Sequence, residues 1–533
     1  MNMVKSLLLG SAAGLVAVAG AQAADLPVKA KPVEYVKVCS AYGAGFYYIP
    51  GTDICLRVGG YVWSEFELND YGAAPTTSSG AIGGDFVRNR GDNTSSFRTR
   101  FDMVFDARTN TEYGTLRSYA SIGWQWTTNL DGFQQIQQPA STGNYAWYYD
   151  RAFIQFAGLT FGYVGSFFDF DPSLILNQQW SKSFKFTPAI AYTAQLGNGI
   201  SASLSMEDAT TRRTAIATGV RSVLNGNVQI DGFGYYAPPA AFSGGCSAAN
   251  IAAGLCGNFS TAVALNQSGW NATIYSGAVM PDFVANLRVD QGWGDAQLSG
   301  AIHQVKTVIS AAGGVFDDAV GGATPSGIPW AAVKYGYAAL AGLNIKLPML
   351  GAGDSFQLEG AWAKGAADYT GVSANPYSTN IAQGYRKGLY GPVIEFFDSY
   401  VNANGQSLST AYSFNAELRH FWTPTIRSSL AYGYNKFKAP PAAQNPLNAQ
   451  GAVGSNAPNG FISNFPSGQI NQVTANLIWS PVPKLDLGLE GYWAEMKTDC
   501  AGLAAVNCGD IREATRGKST DLFGGLFRAR RDF

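Results

Sequence analysis

Between Ser96 and Thr109, the charged residues Arg98, Arg100, Asp102, Asp106 and Arg108 occupy even positions, and Phe97, Phe101, Met103, Phe105 and Ala107 occupy odd ones. A period of two is the signature of a β-strand, so the ionic groups share one face and the apolar groups the other. Guanidinium and carboxylate groups arrayed along one face can attract, order and filter ions. No histidine or cysteine is interleaved with them. An Arg or Lys turned toward hydrocarbon costs about 2–4 kcal/mol near a bilayer midplane, so with the apolar face in lipid the ionic face must line a wet interior. By the same parity Glu65, Arg117, Tyr119, Arg151 and Arg288 also look inward.

The stretch from Ser166 to Pro188 begins SFFDFDPSL and holds Asp169 and Asp171 among Phe167, Phe168, Phe170 and Leu174. Such a segment is out of place in external water. Folded into the interior, its phenylalanines would pack on the inner wall and its carboxylates would face the arginines. Fixed charges of opposite sign across a constriction set its effective width and ion preference. The expected constriction is therefore Asp169 and Asp171 against Arg98, Arg100, Asp102 and Arg117, with Glu65, Asp106, Arg108, Tyr119, Arg151 and Arg288 lining the rest of the lumen. A salt-bridge ladder without a conduction role, and a surface loop with an aromatic plug, are the alternatives. Inward acids and bases nearly cancel, so this reading sets no preference for cations or anions.

Other chemistry finds little to build on. The segment Arg516-Gly517-Lys518-Ser519 resembles the end of a phosphate-binding loop, but the first glycine of that motif would fall on Arg512, and a strand follows rather than a helix. His303 and His420 are the only histidines, and no G-x-S-x-G occurs. His303 is expected to line the lumen and His420 to sit near a membrane rim. Cys39 with Cys55, Cys246 with Cys256, and Cys500 with Cys508 pair by proximity as disulfides, whereas zinc would want a Cys-x-x-Cys that is absent. No metal, cofactor or catalytic group is expected. A formal net charge of −1 argues against a nucleic-acid partner.

The elements that must position these groups are strands. Charged residues are 14% and aromatics 13%, and past residue 23 no apolar run reaches the roughly 18 residues a membrane helix needs. Sixteen period-two segments can be traced, from Leu56–Leu68, Ser96–Thr109, Thr115–Trp126, Tyr149–Phe156 and Leu159–Gly165 through to Lys484–Met496 and Thr520–Phe533. Short turns such as 157–158, 197–199 and 481–483 alternate with long polar connections, the largest from Asp208 to Met280. Alternation of that kind, with an even strand number, predicts an all-β transmembrane antiparallel barrel with short periplasmic turns and long extracellular loops. Both termini then lie on the periplasmic side. Trp124, Trp126, Tyr148, Tyr149, Trp362, Tyr432, Tyr434, Trp479 and Trp493 fall near strand ends, where rings suit the headgroup level. Lys5, the apolar run Leu7–Gly20 and Ala21-Gln22-Ala23 read as a secretory signal peptide over residues 1–23. Residues 24–55 then form an N-terminal segment with a cysteine loop, and 56–533 the barrel, with 166–188 as its constriction loop.

Three stretches together carry a resemblance: AADLPVKAKP after the signal, VCSAYGAGFYYIPGTDICLRVGGYV with Cys39 and Cys55, and DRAFIQFAGLTFGYVGSFFDF, with Phe533 closing the last strand. They resemble the alphaproteobacterial general porins of the rhizobial type. The resemblance implies a homotrimer of sixteen-stranded barrels in outer-membrane lipid and lipopolysaccharide. Each barrel would be a water-filled pore passing small hydrophilic solutes and ions, with the third loop folded inward. By matching position, Asp169 and Asp171 would be its constriction acids, and Arg98, Arg100 and Arg117 the facing basic wall. Two rival readings stay open. A substrate-specific channel would want an aromatic ladder, for which Tyr61, Trp63 and Tyr119 are too few; a structural or adhesive barrel would act through its long loops.

Overall fold

The computed structural model describes residues 37–68, 95–127, 144–176, 181–214, 216–218, 220–224, 227–230, 234–236, 279–309, 330–371, 396–402, 405–444, 467–499 and 519–533. Residues 1–36 with the expected signal, most of the 208–280 connection, and Cys246, Cys256, Cys500 and Cys508 lie outside the described residues. The chain divides at Arg57 into a small N-terminal unit and a large one from Val58 to Phe533.

In the N-terminal unit, Tyr47–Tyr48 pairs antiparallel with Cys55 and Leu56, and a disulfide joins Cys39 to Cys55. Cys39, Phe46 and Cys55 form its buried core, with Tyr42 and Tyr48 packed against them.

The large unit is a closed antiparallel barrel of sixteen strands. We number them β1 Cys55–Leu68, β2 Ser95–Thr111, β3 Gly114–Thr127, β4 Asn144–Phe156, β5 Leu159–Gly165, β6 Phe186–Gly197, β7 Ile200–Glu207 and β8 Asp282–Gln291. The others are β9 Gly294–Ile309, β10 Trp330–Lys346, β11 Ser355–Lys364, β12 Thr410–Thr423, β13 Ile426–Lys438, β14 Gly468–Val482, β15 Leu485–Thr498 and β16 Ser519–Asp532. Each strand pairs with its sequence neighbours, and β1 pairs with β16 from Tyr61 opposite Asp532 to Leu68 opposite Gly525, which leaves no free edge. Phe533 adds one further rung, its N–H donating to the Gly60 carbonyl at 3.0 Å.

Burial in the wall is the reverse of that in a water-soluble sandwich. Leu204 is 68% exposed and Leu489 63%, while Asp106, Asp282 and Glu417 on inward positions are fully buried. Outward leucines suit lipid, and inward acids suit a polar lumen, so the alternation seen from Ser96 to Thr109 holds around the circumference. Trp124, Trp362, Tyr432 and Trp479 point outward.

Turns at one rim are tight for a local reason. Asn198 (φ 51°) with Gly199 (φ 74°), and Ala157 (φ 50°) with Gly158 (φ 85°), both take the left-handed region, the pairing a two-residue hairpin needs to match strand twist. β6 opens at Phe186 rather than at Ala189. Pro188 has no N–H for a ladder, yet it is accommodated opposite Tyr163 near the strand's start, where a missing donor costs least.

Candidate functional site

The segment between β5 and β6 folds into the barrel, and inward carboxylates hold it there. Where it leaves β5, the Ser166 hydroxyl donates to Glu207 at 2.6 Å and the Phe167 N–H to the same carboxylate at 2.9 Å. Farther along, Glu417 on β12 accepts from the Ser173 hydroxyl at 2.6 Å and from the Leu174 N–H, and Glu490 on β15 accepts from the Leu176 N–H at 2.6 Å. Glu359 on β11 takes the Ser183 N–H at 3.0 Å. Backbone donors removed from water need partners, and ionised acceptors make the stronger bonds. Carbonyls are met in turn: Asn286 donates to Phe167, Gln297 to Phe168 and Asp169, and Arg528 to Leu176.

Small residues make room for the loop's apolar side chains. Phe168 and Phe170 pack with inward Val284, Ala301, Ala338, Leu340, Ala361 and Ala363 and with Tyr369. A Cβ on Gly342 would lie 2.3 Å from the Phe170 ring, and one on Gly488 would lie 2.6 Å from Leu176. Those two glycines are flat places in the wall where the loop is seated. The loop thus runs along β8 to β12 and on to β15 and β16.

The two loop acids part company. Asp169 is nearly buried, accepting from Arg212 at 2.6 Å, from the Ser183 hydroxyl at 2.6 Å and from the Lys185 N–H at 2.6 Å. Arg212 belongs to the segment after β7. It lies 4.6 Å over the Tyr369 ring and 3.5 Å from Asp368, to which Lys185 is also bonded at 3.2 Å. Burial alone would lower the Arg212 guanidinium, but Asp169 and Asp368 more than offset it and raise it above its ordinary value. Burial wins at Lys185, whose amine is held below its usual value despite Asp368. Asp171 instead stays partly open to water and meets Arg288 at 2.9 Å, which also bonds Asp295 at 2.7 Å. The short-range ion pairs of the two loop acids are thus with Arg212 and Arg288, while Arg98, Arg100 and Arg117, expected to face them from across an opening, make their own bonds elsewhere.

Those three arginines hold the opposite wall. Arg98 bonds Glu65 at 3.0 Å and Glu67 at 3.5 Å; Arg100 bonds Gln125; and the buried Asp102 accepts from Ser121 at 2.7 Å. Arg98, Arg100 and Arg528 all lie over the Trp63 ring at 4.6–5.6 Å. Arg108 and Arg117 converge on Asp106, and Tyr119 stacks on Phe153 with Arg117 and Arg151 above. His303 does face inward but is fully covered, with Asp282 at 2.8 Å and Asp398 at 3.9 Å. His420 lies at the turn rim, 2.6 Å from Asp354.

Sequence reasoning missed Glu207, Glu359, Glu417 and Glu490 as loop anchors, although the inward parity of each strand carried the signal. It also missed Arg212, whose role depends on a contact 43 residues away that no local pattern encodes.

A closed barrel with an apolar outside, an ionic inside and the connection after β5 folded into the lumen is a transmembrane barrel of the outer-membrane channel class. The chain belongs to the Porin subfamily, whose family model matches residues 25–520. It is a multi-pass β-barrel of the outer membrane. It is 38% identical over 211 residues to Porin Omp2b of Brucella melitensis, a match covering 38% of this chain and 54% of that protein. It is 37% identical over 222 residues to Porin Omp2a of Brucella ovis, covering 38% and 59%. The chain spans about half the length of the curated relatives it matches. Among solved structures it is similar to the outer membrane channel DcaP of Acinetobacter baumannii, with a TM-score of 0.49 and 12% identity over 91% of this chain and 99% of that one.

Proposed function

We propose that this chain forms a passive, water-filled channel through which small hydrophilic solutes and ions diffuse down their gradients, with no catalytic cycle and no cofactor. One observation carries the reading. The inward loop is docked on the wall from β8 to β12 and on β15 and β16, while the arginine-rich wall of β2 to β4 faces the lumen with partly exposed guanidinium groups. Among the described residues that side of the lumen is lined by charge, and a charged lining holds water rather than a core.

In this reading the narrowest passage runs between the loop and the β1 to β4 wall. Asp171 with Arg288 forms the loop-side rim; Arg98, Arg100, Asp102 and Arg117 form the wall side; and Glu65, Asp106, Arg108, Tyr119 and Arg151 line the approach. Asp169, enclosed by Arg212 and Ser183, acts as a positioning residue that fixes the loop's path. The family membership supports a homotrimer embedded in outer-membrane lipid and lipopolysaccharide after removal of residues 1–23. Swelling of liposomes carrying the folded protein tests the channel. Neutral sugars should enter at rates that fall steeply with molecular size, and liposomes that fail to swell even in the smallest sugar would refute it.

A further inference from the structure

At the rim opposite the tight turns, parts of two long connections are packed against the inward wall. After β7, Ala209–Arg212 makes a single 3-10 turn, and Ile216–Thr218 then runs parallel to Ser399–Asn402, with Ile216 opposite Ser399. Ser399–Asn402 lies in the connection between β11 and β12, as does Gly405–Leu408, which pairs with it antiparallel. The same connection begins with another 3-10 turn, Ala367–Thr370. Pieces far apart in sequence thus build one small sheet flanked by two turns.

Three strands of the barrel hold this assembly. Gln406 donates to the Val305 carbonyl of β9 at 3.3 Å, Asn435 of β13 donates to the Thr370 carbonyl at 2.9 Å, and the Tyr369 hydroxyl donates to Asp282 of β8 at 2.6 Å. Phe396 and Phe397 meet the inward Phe437 ring edge to face, with centroids 5.2 and 5.0 Å away. The parts converge on Asp398, which is fully buried. One of its carboxylate oxygens accepts the Thr214 N–H at 2.9 Å, from the connection after β7, and the other accepts the Ala367 N–H at 2.7 Å, from the turn after β11. The carboxylate also lies 3.9 Å from Nε2 of His303 on β9, whose Nδ1 is 2.8 Å from Asp282. A carboxylate leaves water only where donors replace its hydration, and the N–H groups of a buried turn need acceptors, so each side requires the other.

The footprint on the wall is one-sided. The inward residues His303, Val305 and Thr307 on β9, Ala411 on β12 and Phe437 on β13 are 0–1% exposed, whereas Arg151 on β4 keeps 43% of its side chain open. Passage at this rim is therefore left on the β2 to β4 side.

We propose that the connections after β7 and β11 form a second inserted element, with Asp398 as its positioning residue, and that this element limits the size of solute admitted, in series with the inward loop. This rests on the channel reading above. Pore width governs which solutes pass, and narrow passages in series add their resistances.

Liposome swelling and single-channel recording on the full folded protein test it. Asp398→Ala changes no residue of the barrel ladder but leaves the Thr214 and Ala367 N–H groups without their acceptor, moving the element from seated toward free by about tenfold or more for each donor that stays dry. A trisaccharide should then gain more in entry rate than a pentose, so that the fall of rate with size flattens, and conductance should rise. Asp398→Asn, which keeps one acceptor oxygen, should lie between. Gln406→Ala cuts the bond to β9 with Asp398 in place and should move the size profile the same way by less, which keeps the test open should Asp398→Ala not fold. Combined with Glu417→Ala, which frees the inward loop, Asp398→Ala should raise conductance beyond either change alone. Folded Asp398→Ala and Gln406→Ala proteins with the wild-type size profile, or a double variant that conducts no better than Glu417→Ala, would overturn the element's role while leaving the channel standing. A folded wild-type protein that admits not even the pentose would refute the channel reading and this one with it.

Discussion

Glu417→Ala removes the central anchor of the inward loop without touching the barrel ladder, because the backbone of residue 417 pairs with Gln357 and Ala431 whatever its side chain. The native carboxylate is fully buried; it accepts from the Ser173 hydroxyl and the Leu174 N–H and lies 3.7 Å from the buried Lys182 amine. Its loss leaves two donors without their acceptor, at about 1–3 kcal/mol each if they stay dry, and a cation without its counter-charge. Breaking a buried pair from one side costs about 3–5 kcal/mol. Lys182 keeps Gln357 and water can enter the lumen, so the low end applies. About 3 kcal/mol is roughly a hundredfold shift of the loop from docked to undocked. Single-channel recording should then show larger, noisier openings, while the protein still runs as a heat-sensitive folded band. Glu417→Gln, which keeps an acceptor oxygen, should lie between. Wild-type conductance and quiet openings from a folded Glu417→Ala protein would refute the docking account.

Three further outcomes follow from particular contacts. Asp171→Asn removes a lumen-facing carboxylate while Arg288 keeps Asp295, so the reversal potential in a salt gradient should move toward anions; an unchanged value would take Asp171 out of the constriction. Reducing the Cys39–Cys55 disulfide should leave conduction intact, since Cys55 is the first residue of β1 and precedes the Tyr61–Leu68 stretch that closes the barrel against β16, and loss of the folded band on reduction would contradict this. At the turn rim, the Phe421 N–H and then His420 hold the Asp354 carboxyl below its ordinary range. A depressed folded value means the stabilisation from Asp354 is present above the unfolded value near 4 and disappears as pH falls through the lower folded value. The difference in thermal stability between wild type and Asp354→Asn should therefore stay constant from neutral pH down to about pH 5 and shrink only in stronger acid; a difference that closes already near neutrality would be the wrong sign.

How much could be read from the chain alone depends on the range of the interaction. Strand identity and facing are local, because a period of two needs only a few residues to declare itself, and Arg98 to Arg108 did so within one strand. Closure followed from alternation of short and long connections, since Ala157-Gly158 and Asn198-Gly199 mark hairpins by their own backbone preferences. The described parts of the connection after β5, residues 166–176 and 181–185, meet inward side chains, in keeping with phenylalanines and acids that together suit neither lipid nor open water, whereas 186–188, expected to belong to the loop, are the start of β6. The docking partners of that connection were not legible. Leu176 meets Glu490, and Ser173 meets Glu417, across hundreds of residues brought together only by barrel closure. Asp169 read as a pore-facing acid because its type and neighbours fit that role equally well; Arg212, which encloses it, arrives from the next long connection.

Single-channel conductance of the purified, folded protein, measured as bulk salt is raised, tests the central claim most directly. The account predicts ohmic steps, in groups of three for a trimer, whose size grows in proportion to salt concentration, as for ions moving through water. A folded protein without steps, or steps that saturate at low salt as a dry binding site would impose, would contradict it.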